Sequence, residues 1–123
     1  MDTNKLYTEI GRMAYAVAKS NGEVKEKEVE NIFNFIDQEI EQTGSGDVMY
    51  LGTEFTKLRK MNVSARDAFY MFSNFIEHHG SNLQQNIKTM CIRLAMTIAA
   101  TDEGVDETEM ALINKLKKKL QIT

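Results

Sequence analysis

With 123 residues, 42% of them hydrophobic and 27% charged, the chain has the length and balance of one globular domain spanning 1–123, which excludes wholesale disorder. A formal net charge of -3 offers none of the clustered basic surplus that marks a nucleic-acid surface, so no such partner is expected. One cysteine excludes an internal disulfide, and no apolar run approaches the ~20 residues that cross a bilayer.

The polar start Met1-Asp2-Thr3-Asn4 carries no apolar signal core, and a cytoplasmic protein is expected. Leu6, Ile10, Met13 and Val17 step along one face of a first helix, ended by Asn21-Gly22. Val29, Ile32, Phe33, Ile36 and Ile40 give a second, broken by Thr43-Gly44-Ser45-Gly46. Asp47 is placed to cap a third, marked by Val48, Leu51, Phe55 and Leu58. Ser64 is placed to cap a fourth, which carries Ala68, Phe69, Phe72, Phe75 and Ile76 and closes at His78-His79-Gly80. A fifth segment holds Leu83, Ile87, Met90, Cys91, Leu94 and Ile98. After Asp102-Glu103-Gly104, a sixth carries Met110, Ile113, Leu116 and Leu120.

No stretch alternates long enough to predict a strand, and the chain has no proline, which costs ~3 kcal/mol inside a helix. The expected fold is therefore all-α, a compact bundle of about six helices packed as antiparallel hairpins. Lys115, Lys117, Lys118 and Lys119 suit the C-terminal end of the last helix, and His78 and His79 suit the end of the fourth. Cys91 is expected in the core. Methionines such as Met13, Met49, Met61, Met71 and Met90 read as core filling or, more sharply, as the lining of a groove for a partner helix.

Shifting the chain by 81 residues aligns Ala18–Val29 with Ala99–Met110, with identities at Ala18/Ala99, Val24/Val105, Glu26/Glu107 and Glu28/Glu109. Ile32/Ile113 extends the match. Each copy is a small-residue helix end, an Asn or Asp, a glycine, a valine and a helix that opens with glutamates. This reads as an imperfect duplication of a helix–acidic turn–helix unit, the two related by a pseudo-twofold. Gly22 and Gly104 permit a left-handed turn but are offset by one position. Asp106-x-x-Glu109 has the form of a capping box, whereas Lys25 stands where the second copy has Asp106.

An ordinary EF-hand is excluded, because its first and third ligand positions hold Val17 and Lys19, and Ile98 and Ala100 in the second copy. Capping alone accounts for these acids. If the two turns meet, however, Asn21, Glu28, Asp102 and Glu109 can offer hard oxygens to calcium or magnesium, with Glu23, Asp106 and Glu107 nearby.

The turn resembles that of the TerB-like family, named for a tellurite-resistance protein, whose pattern is approximately Ala-x-Ala-Asp-Gly-x-hydrophobic-x-x-x-Glu. Ala18 through Glu28 fits with Asn21 at the acidic position, and Thr97 through Glu109 fits with Asp102 there and the glycine one place late. The resemblance covers both ends, and the middle only as generic helices. It implies a helical bundle with an acidic surface centred on the turns, divalent-cation binding by that surface, and a sensing or scaffolding role.

Nothing spells out a reaction. The chain has no phosphate-binding loop, no nucleophile motif and no Glu-x-x-His pair for a di-iron site. The expectation is a small non-enzymatic binding or scaffold module with a protein partner in a stress-related or envelope-related complex. The alternative is a carrier of an apolar ligand in a cavity lined by Phe69, Met71, Phe72, Phe75 and Met90.

Overall fold

Local capping starts the chain. The Asp2 carboxylate accepts the Asn4 N–H at 3.0 Å, satisfying one of the free donors of the first turn. In the computed structural model, which describes residues 2–101 and 104–121, six helices follow. They are α1 (Thr3–Lys19), α2 (Glu26–Thr43), α3 (Met49–Lys60), α4 (Ala65–His79), α5 (Gln85–Ala99) and α6 (Glu107–Lys119).

The axis of the bundle is α1, which packs against α3, α4, α5 and α6. Ile10, Met13, Ala14, Ala16, Val17 and Ala18 have no exposed surface, as expected of a helix enclosed by neighbours. Each such large apolar side chain contributes about 1.5–3 kcal/mol by leaving water. Small residues bring the backbones close. A Cβ on Gly11 would stand 2.5 Å from the Leu51 carbonyl oxygen, so α1 and α3 approach as they do only with glycine there. The hydroxyl of Tyr15 donates to the Val63 carbonyl, tying α1 to the turn before α4.

Ser64 caps α4 as its position predicts, accepting the Asp67 N–H at 3.0 Å. Asp47 does not cap α3. A short 3₁₀ turn, Gly46–Val48, comes first and is capped by Ser45, whose hydroxyl accepts the Asp47 N–H, while the Asp47 carboxylate accepts the Thr3 hydroxyl. Leu83 lies outside α5, after a second 3₁₀ turn at Gly80–Asn82. Ala100–Thr101 pairs antiparallel with Gly104–Val105, two residues on each side, too short for any periodicity to announce. Phe33, read with the core face of α2, stands half in solvent. Phe35 takes the inner place against α5 instead, with the Arg93 guanidinium over its ring.

Candidate metal centre

Each acidic turn holds one glycine with positive φ: Gly22 at 105° in the first and Gly104 at 101° in the second, one position apart in the alignment. No atom lies within 4 Å of a Cβ built at either glycine, so conformation rather than space selects it.

The caps differ. In the first turn the Glu28 carboxylate reaches back and its Oε1 accepts the Lys25 N–H at 2.8 Å. Lys25, at the N-cap position of α2, has no acceptor to return the bond. In the second, Asp106 caps α6 from its Oδ1, accepting Thr108 N–H at 2.8 Å and Glu109 N–H at 3.1 Å. The Glu109 N–H foremost, with Asn21, Thr108 and Lys25 adding to it, holds the Asp106 carboxyl below its usual range. Glu109 does not reach back, so each turn forms the opposite half of a capping box.

The turns meet. The Asn21 side-chain amide donates to Asp106 Oδ2 at 3.5 Å, across 85 residues of chain. Asn31 of α2 strengthens the junction by donating to the Thr97 and Ala100 carbonyls at the end of α5. Behind this contact lie the aligned glutamates, Glu28 and Glu109, both 0% exposed. Glu28 Oε2 and both carboxylate oxygens of Glu109 are buried without a hydrogen-bond partner. Burial first, and then the facing Glu28, push the Glu109 carboxyl up to about 9; Asp106 adds to the rise and Lys25 opposes it.

Of the predicted ligands, the structure therefore brings Glu28 and Glu109 together, with Asn21 attached through Asp106. Asp102 lies outside the described residues. Glu23 and Glu107 are exposed. No group of three or more His, Cys, Asp or Glu side chains gathers at metal-binding range among the described residues. The donor set is instead two carboxylates supported by an amide and a capping aspartate. Hard oxygens of this kind are the type calcium and magnesium take, and a proton shared between Glu28 and Glu109 would equally answer the buried oxygens.

The other candidates have structural work. Cys91 is buried and its thiol is pushed up to about 12 by desolvation, which leaves it unreactive. His79 stacks near Phe75 with ring centroids 5.0 Å apart, and His78 Nδ1 lies 2.8 Å from the Asn74 carbonyl. The Phe/Met set expected to line one cavity is divided. Phe72, Phe75 and Met90 are packed in the core, while Phe69 and Met71 are partly buried and edge separate clefts with charged side chains. Periodicity did not reveal Asn31, nor the half-buried Arg12 that joins Glu9 at 2.8 Å and Glu54 at 2.7 Å. Both depend on partners far apart in the chain.

A helical bundle that brings two acidic helix–turn–helix units together at a buried carboxylate pair defines a class of small all-α module. The family profile described as tellurite resistance protein TerB matches residues 9–123, and the chain belongs to that family. No curated protein and no solved structure matches it. No helix among the described residues is long and apolar enough to cross a membrane.

Proposed function

We propose that this TerB-family domain is a small, non-catalytic binding module of the cytoplasm in which two duplicated acidic turns, related by a pseudo-twofold, close on one divalent cation, calcium or magnesium. The observation that carries this is the Glu28–Glu109 pair, equivalent positions of the two units buried together with three oxygens unpartnered. Two carboxylates out of water repel each other unless a proton or a cation is shared between them. Lys25 supplies part of that charge from outside the pair. Glu28 and Glu109 would hold the ion directly, with Asn21 and Asp102 as further oxygen donors and Asp106 orienting Asn21. The cation supplies charge neutralisation that locks the α1–α2 turn to the α5–α6 turn. A lock of this kind suits a module that senses or scaffolds in a stress-related complex, in keeping with the tellurite-resistance family.

Thermal melting with and without millimolar calcium or magnesium tests the cation. A site filled at 100 times its dissociation constant adds about 2.7 kcal/mol, or roughly 10 °C for a chain of this size. The shift is expected to vanish in Glu28→Gln and in Glu109→Gln. No shift in the native chain with either metal would remove the cation from the proposal.

A further inference from the structure

An open apolar groove of about 750 Å³ runs between α2 and α3, lined by none of the residues of the carboxylate pair. Gly52 lets α2 side chains settle on the α3 backbone at its floor: a Cβ there would stand 3.0 Å from both the Phe33 ring and Ile36 Cδ1. Phe33 is 40% exposed on one wall, and Met49 and Met61 are 61% and 63% exposed at opposite ends. Scattered exposed apolar side chains are ordinary, but several lining one groove mark a binding surface. The α3 segment between the two methionines spans about 18 Å, or three helical turns.

The charge at the rim is directional. Lys57 and Lys60, three apart and so neighbours on α3, both line the groove. Lys57 reaches Glu54 at 3.5 Å, but Lys60 has no ion-pair partner among the described residues. Asp37 lines the α2 side. A small ligand is usually 70–90% enclosed, which a channel open along its length does not achieve. A helix is held from one face, and flexible methionines at the ends adapt to its side chains.

We propose that the α2–α3 groove docks an amphipathic helix of a partner protein, with apolar side chains at i, i+3 or i+4, and i+7 on the floor and a carboxylate against Lys60. This gives the binding-module reading a partner of defined chemistry and needs no cation.

The test uses the full chain, carbon-13 labelled at its methionine methyls, in EDTA throughout, so that failure of the metal site does not affect it. Two helix-forming peptides of roughly 15 residues share one leucine stripe, flanked in one by glutamate and in the other by lysine. The glutamate peptide is expected to shift the Met49 and Met61 methyls saturably, leaving buried Met13 unmoved. The lysine peptide should bind about tenfold more weakly, and Lys60→Glu should erase the preference with an unchanged melting curve. If Lys60→Glu melts early, Met61→Glu replaces it and should weaken both peptides. Absence of binding, equal binding of both peptides, or shifts confined to other methionines would overturn the proposal. So would concentration-dependent shifts without peptide, which indicate a second copy in the groove, or tighter competition at the same methyls by dodecanoate.

Discussion

The turn at Asn21–Glu28 and the turn ending at Gly104–Glu109 each hold a positive-φ glycine, a valine and a buried glutamate, yet they cap their helices by opposite means. Glu28 spends one oxygen on the Lys25 N–H and keeps one unpartnered, whereas Asp106 takes over capping in the second turn and leaves both oxygens of Glu109 unpartnered. Where a neighbour supplies the cap, the glutamate is released for another role. The second unit is thus the richer donor, and Lys25 beside the first tempers the charge that the pair accumulates.

The largest expected effect follows from that imbalance. In metal-free buffer Glu109 has a folded-state value of about 9 against an ordinary 4.5, so the folded state holds its proton more tightly than the unfolded state. Its contribution is fully present below 4.5 and is lost as pH rises toward 9. Denaturation across this range should show stability falling with pH, and Glu109→Gln should flatten the slope. A native chain with no slope there would place the two glutamates in independent surroundings.

The glycines test how alike the turns are. Gly22→Ala and Gly104→Ala each place a Cβ in a left-handed conformation with no steric clash, so each should cost about 1–2 kcal/mol in chemical denaturation. Costs that differ widely would show that the turns are not equivalent. The caps give the smallest effects. Asp106→Ala should lose about 1 kcal/mol, whereas Lys25→Ala, which removes no side-chain cap, should stay within about 0.5 kcal/mol. Equal losses would contradict the opposite capping.

Much of this architecture is legible in the sequence because helix phase is a local property. Steps such as Leu6–Ile10–Met13–Val17 announce a buried face, and the alignment includes Glu28 with Glu109 but gives the exposed Glu26 and Glu107 equal standing. Other features turn on competition between neighbours. Ser45 precedes Asp47 and takes the capping position, and Phe35 displaces Phe33 because α5 lies on that side. A methionine-lined groove was readable as a possibility, but not its place, since Phe33 comes from α2 while Met49 and Met61 bound α3. At the two acidic turns the residue types were readable, but not which oxygens the caps would consume.

The claim that the two turns form one shared centre is tested most directly by calorimetric titration of the metal-free chain with calcium, and in parallel with magnesium. The account predicts one cation per chain with one of these metals, with binding abolished by Glu28→Gln and equally by Glu109→Gln. Two independent cations, or one that survives either substitution, would contradict it.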